Sequence, residues 1–130
     1  MKGSTLCQCG CGLDTKESHK QIMASIEGDM KQDLGAGYQL TWTCGARCPT
    51  HNVKMGGAPN SAHIIGMASD IALITSQERF SFIKSCINRG IRRLEDRMLN
   101  HSYMHCDTAE GPLPNNPDAK YPQDVFIVLT

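Results

Sequence analysis

The stretch Gly57-Ala-Pro-Asn-Ser-Ala-His-Ile-Ile-Gly-Met-Ala-Ser-Asp70 sets a hydroxyl, an imidazole and a carboxylate around small pivots, and the rest of the chain is read outward from it. His63 and Asp70 offer a neutral nitrogen and an anionic oxygen, donor types that suit zinc, and Gly66 permits a tight turn between them. The stretch holds no third ligand. The compact candidate elsewhere is Tyr103-Met-His-Cys-Asp107, where His105 lies in a short alternating segment. The expectation is a metal site of His63, Asp70 and His105.

A length of 130 residues suits one domain spanning 1–130, able to bury a core without covalent help. Lys plus Arg number 13 and Asp plus Glu also number 13, so no basic field gathers nucleic acid or an anionic membrane. Apolar runs fall well short of the roughly 18 residues that mark a spanning helix. The start, Met1-Lys-Gly-Ser-Thr-Leu-Cys-Gln-Cys-Gly10, has no apolar signal core. These features lead us to expect a soluble, cytoplasmically made monomer with neither nucleic acid nor membrane as partner.

Seven cysteines are an odd number, so a fully disulfide-paired monomer is impossible. Cys7, Cys9 and Cys11 are too close together to pair easily with one another, which points to Cys44 and Cys48 as partners. Disulfides, a second and structural zinc, or burial as small apolar residues all fit this pattern.

Asp14-Thr-Lys-Glu17 matches a capping box, followed by Ile22, Met23, Ile26, Met30 and Leu34 on one face and by Gly35 and Gly37, which predicts a helix. Tyr38 to Thr43 alternates as a strand, and Cys44 to Asn52 reads as a loop rich in turn formers. Arg47 in that loop fits two readings, a fork for a substrate carboxylate or carbonyl and an ordinary surface charge. Val53 to Asn60 reads as irregular, and Met67 to Ile74 as a strand with Ala68, Asp70 and Ala72 on one face. Thr75-Ser-Gln-Glu78 is a second capping box, opening a helix with Phe80, Ile83, Cys86 and Ile87 as its stripe and Gly90 as its stop. Ile91 to Leu99 fits an exposed edge strand or a helix extension, and Asn100 to Ser102 a turn. Tyr103, His105 and Asp107 then share one face of a strand. Residues 109–124 carry four prolines and predict a long surface loop, and Val125 to Leu129 predicts a buried strand. His19 and His51 read as structural or exposed, and Met23, Met30 and Met67 as core filler.

Ser61-Ala-His-Ile-Ile-Gly-Met-Ala-Ser-Asp70 resembles the zinc D-Ala-D-Ala carboxypeptidase and peptidoglycan endopeptidase family, whose signature is Ser-x-His-x-x-Gly-x-Ala-x-Asp. The likeness extends through Cys-x-Cys-Gly-Cys-Gly, Gly-x-Arg-Cys-Pro-x-His-Asn and the late His-x-Asp, and is strongest to short phage and bacterial members. It implies an α+β fold shared with hedgehog-type domains: a small antiparallel sheet carries the zinc, with two main helices packed on it. It also implies His63, Asp70 and His105 as zinc ligands, Ser61 and Arg47 as substrate holders, and peptidoglycan stem peptides or cross-links as substrates.

One departure bears on catalysis. Many members carry Glu or Asp three residues before the last histidine, and here that position is Ser102, which cannot act as a carboxylate base. Asp107 ranks first as its replacement, ahead of Tyr103, His101, Glu95 and Asp96, although Asp107 also suits orientation of a ligand histidine. Cys44, where relatives often have serine, is a second departure. The resulting expectation is a zinc peptidase of the cell wall, such as an endolysin released on phage lysis. Its rival is a zinc-holding binding or structural module that has lost the base.

Overall fold

The computed structural model describes residues 1–97, 101–122 and 125–128. Helix α1 (Glu17–Leu34), strand β1 (Thr41–Cys44), helix α2 (Pro49–Lys54), β2 (Ala68–Ala72) and helix α3 (Ser76–Asn88) come first. Strands β3 (Arg93–Asp96), β4 (Tyr103–Asp107), β5 (Pro112–Leu113), β6 (Asn116–Lys120) and β7 (Val125–Val128) follow. The main sheet has the order β1-β2-β4-β3-β7, antiparallel except for the parallel pair β3–β7, and β5 with β6 makes a small second sheet. The architecture is the expected α+β one, with a mixed rather than purely antiparallel sheet.

Alternation divides the sheet into two faces. Ile71, Leu94, Met104 and Cys106 point to the helices and join Met23, Ile26, Met30, Leu40, Trp42 and Phe82 in one apolar core. Full burial of each large aliphatic or aromatic side chain contributes about 1.5–3 kcal/mol. The α1–α3 contact is edged by polar bonds: Ser81 Oγ donates to Asp33 (2.7 Å), and Ser85 Oγ (2.6 Å) and Arg89 Nε (2.9 Å) donate to Asp29. These bonds let two serines sit buried on a helix flank.

Several expectations are corrected. Helix α1 starts without a capping box, because the Asp14 carboxylate is occupied by the Thr5 hydroxyl (2.7 Å) and Lys20 (2.5 Å), and Lys16 caps by backbone alone. The box at Thr75 and Glu78 does form. The buried side of α3 is Phe82 with Cys86, whereas Phe80 and Ile87 are exposed. Pro49, instead of marking a loop, occupies the first turn of α2, where a missing N–H costs nothing. The proline-rich segment folds into the β5–β6 hairpin. Strand β3 is paired on both sides, so it is neither an edge nor a helix extension. Strand β7 takes the edge of the sheet, and Phe126, expected to be buried, is half exposed. Leu99, Asn100 and Leu129, and residues 123–124 of the expected loop, lie outside the described residues.

No helix among the described residues is long and apolar enough to cross a membrane.

Candidate metal centre

The second sheet face carries the site. Register sets Asp70 of β2 opposite His105 of β4, and His105 opposite Glu95 of β3, giving a polar row across three central strands. Directly opposed residues have their side chains within reach on the same face. His63 reaches the row from the turn before β2, which Gly66 makes possible: its φ is +69°, and a Cβ there would meet the backbone oxygen of Asp14 at 3.0 Å. Lys16 N–H donates to Gly66 O (2.8 Å), fixing the turn against the start of α1.

His63 Nε2, Asp70 Oδ1 and His105 Nδ1 lie 3.0 to 3.2 Å from one another. Protons on the far side of each ring are assigned from their partners. His63 Nδ1 is 2.7 Å from Gly45 O, a carbonyl that only accepts, so Nδ1 carries the hydrogen. His105 Nε2 is 2.8 Å from Asp107 Oδ2, so there too the outer nitrogen donates. With both rings neutral, three lone pairs converge on one point with no proton between them. Tetrahedral zinc with bonds of about 2.0–2.1 Å places its donors about 3.3 Å apart, so this set fits the ion.

Without a metal, protons would have to fill this gap. Burial opposes a charge on His105, yet its bonds to Asp107 and Asp70 raise its pKa to about 10. Burial likewise opposes charge on His63, but Asp70 and Cys44 draw its pKa upward. Asp70 is desolvated, which favours its neutral form, and the two imidazoles overcome this and hold it well below the usual carboxylate range.

Around this focus a cleft of about 440 Å³ is lined by Arg47, Ser61, Glu95, Tyr103, Asp107 and Tyr121, among others. Arg47 Nη2 is 3.5 Å from Ser61 Oγ, and Ser61 Oγ accepts from the His63 N–H (3.3 Å). Glu95 is held by Arg93 (2.5 Å) and Arg97 (3.3 Å). Burial disfavours its charged form, but His105 and these arginines lower its pKa and keep it ionised. Asp107 is fully engaged: besides His105, its Oδ1 accepts from the Ala109 N–H (3.3 Å). Ser102 sits in a turn with φ +61° and is exposed. Cys44 Sγ lies 3.8 Å from His63 Nδ1, the nitrogen turned away from the focus.

The remaining histidines are placed differently. His19 is buried between Thr108 Oγ1 and Ser69 Oγ, both at 3.0 Å, and desolvation lowers its pKa to about 3. His51 lies on α2. One cleft residue escaped the sequence reading: Tyr121 is 6 % exposed, with a buried hydroxyl that has no hydrogen-bond partner among the described residues. It lies within the proline-rich segment, and no periodic pattern marks it.

A small α+β domain with two imidazoles and a carboxylate focused at the floor of a polar cleft is built as a metallohydrolase. The model of the family described as Peptidase M15 matches residues 4–107, and the chain belongs to this family, which is of the zinc D-Ala-D-Ala carboxypeptidase type. The match takes in His63, Asp70 and His105 and stops before Tyr121. No curated protein matches the chain.

Proposed function

We propose that the chain is a zinc-dependent peptidase of peptidoglycan stem peptides or cross-links, with His63, Asp70 and His105 as the zinc ligands. The observation that carries this is the convergence of two imidazole nitrogens and one carboxylate oxygen at 3.0 to 3.2 Å, each imidazole locked from behind by an acceptor. Zinc bound there would supply Lewis acidity, polarising the scissile carbonyl and lowering the pKa of water toward about 7. Arg47 offers a planar fork for a substrate carboxylate or carbonyl, and Ser61 a hydroxyl beside it. The unpaired Tyr121 hydroxyl is a further donor for a substrate carbonyl.

For the proton acceptor, Asp107 has its carboxylate committed to His105 and Ala109, so it acts by holding His105 in register. Glu95 is the cleft carboxylate that stands opposite His105 on the side away from Asp70, and it would take a proton from water and pass it to the leaving amine. A second reading, a zinc-holding module without catalysis, is favoured by the two arginines that occupy Glu95.

The test is incubation of zinc-loaded protein with purified sacculi while new amino groups are counted. Peptidase action releases amine, and Glu95→Gln lowers the rate about 100-fold or more at unchanged zinc content. Zinc-loaded protein that releases none supports the non-catalytic module and overturns the enzyme.

A further inference from the structure

We propose that Cys7, Cys9, Cys11 and Cys48 hold a second, structural metal ion, a tetrathiolate zinc independent of the peptidase reading. Their four sulfurs all lie within 4.8 Å of one another. Cys7 and Cys9 are 3.4 Å apart and Cys9 and Cys48 3.7 Å. Zinc with Zn–S bonds of about 2.3 Å sets tetrahedral sulfurs about 3.8 Å apart. All seven cysteines are free thiols, so the sulfurs are not in disulfides.

Exposure separates two members of this cluster, Cys9 and Cys11, from the core cysteines Cys86 and Cys106. Cys86 and Cys106 are 0 % exposed and pack as small apolar residues, whereas Cys9 and Cys11 are exposed and contribute nothing to the core. Gly10 and Gly12, at φ +86° and +87°, curl the loop so that three alternate cysteines turn toward one point. Two backbone amides aim at the sulfurs: Cys48 N–H donates to Cys7 Sγ (3.3 Å) and His51 N–H to Cys48 Sγ (3.4 Å). Amide donors of this kind stabilise metal-bound thiolates. Four thiolates are soft ligands that select zinc over magnesium or calcium. Cys44 is absent from the set, contrary to the pairing that its position in the sequence suggested.

The ion has a structural role because of what Cys48 is attached to. Residues 44–48 form a strap between the two centres. Ala46 N–H donates to Thr5 O (3.1 Å), Arg47 N–H donates to His63 O (3.0 Å), and Gly45 O receives the His63 ring hydrogen (2.7 Å). Fixing Cys48 to residues 7–11 therefore anchors the strap that orients His63 and presents Arg47.

The test removes the first centre and asks for the second. His63→Ala/His105→Ala protein, purified with zinc and reductant, is expected to keep one zinc per chain. With cobalt in its place, it should show sulfur-to-metal charge-transfer absorption. Cys9→Ser/Cys11→Ser protein should lose that zinc while keeping the one at His63, Asp70 and His105. A thiol reagent applied to native protein should reach Cys9 and Cys11 only after a chelator strips the metal. The proposal is overturned if the double-histidine variant holds no zinc, if its cobalt form lacks the thiolate absorption, or if Cys9→Ser/Cys11→Ser keeps both ions. It is also overturned if peptide mapping of native protein finds these cysteines in disulfides. Native protein that holds the tetrathiolate ion yet releases no amine from sacculi would instead count against the peptidase reading alone.

Discussion

Replacing Asp107 by alanine separates the two roles open to that carboxylate. In the structure it receives the His105 Nε2 hydrogen at 2.8 Å and is 2 % exposed, so alanine removes a buried, charge-assisted bond and frees the ring to change tautomer. Loss of such a partner typically weakens metal binding about 10–100-fold, or about 1.4–2.7 kcal/mol. The Ala109 amide, also buried, loses its acceptor, which costs the fold about 1–3 kcal/mol more. Asp107→Asn, whose amide oxygen still accepts from Nε2, should fall between wild type and Asp107→Ala. Zinc competition against a chromogenic chelator gives the affinity, thermal melting gives the stability, and sacculus hydrolysis at saturating zinc gives the activity. The expected pattern is weakened zinc affinity with activity largely regained once zinc saturates. Unchanged affinity with activity abolished at saturation would refute the argument and make Asp107 the proton acceptor.

Zinc uptake by the metal-free protein at pH 7 should release about one to two protons, because both imidazoles have raised pKa values and bind metal only when neutral. Calorimetry in buffers of different ionisation enthalpy reads this number, and zero would contradict the site. For the metal-free fold, stabilisation from the raised His63 and His105 is full below about pH 6.5 and is lost as pH rises, through about 10 for His105. That from the lowered Asp70 is full above about pH 3.9 and is lost as pH falls through its folded value. Chemical denaturation of stripped protein should therefore show these groups contributing most between about pH 4 and 6.5, and a contribution that grows toward pH 9 would overturn the assignment. Gly66→Ala should cost about 1–2 kcal/mol from its left-handed conformation, plus strain against Asp14 O, read as a lower melting temperature; an unchanged melt would show that the turn is not constrained.

Much of the site was legible because it obeys the two-residue period of a strand. Asp70 with Ala68, and His105 with Asp107, shared a face in the sequence, and pairing of β2 with β4 only had to bring the faces together. What stayed hidden depends on partners distant in sequence. Asp14 looked like a helix cap, but Thr5 and Lys20 take its carboxylate first. Phe80 and Ile87 looked like core, yet α1 packs on the flank that carries Phe82 and Cys86. Arg93, Glu95 and Arg97 looked like a solvated edge because a polar cleft and open solvent ask for the same side chains. Pro112, Pro114 and Pro117 argued against strands, but a two-stranded hairpin with free outer edges tolerates proline. The thiol cluster was visible as spacing, and only the folded chain shows that Cys48 joins it and Cys44 does not.

The row Asp70–His105–Glu95 runs across strands that each have a neighbour on both sides. Breaking it therefore requires pulling the sheet apart, so amide hydrogen exchange along β2 and β4 should proceed only through global unfolding, with the slowest rates in the chain. The β5–β6 hairpin lies outside those strands and should open as a smaller cooperative unit on its own, whereas the strap at 44–48 is tied to the floor through Gly45 O and the His63 ring. The cleft is thus expected to join a floor whose lifetime is that of the whole fold to one wall, at Leu113, that moves on a faster clock, so that this wall can yield while the donors of His63, Asp70 and His105 stay in place.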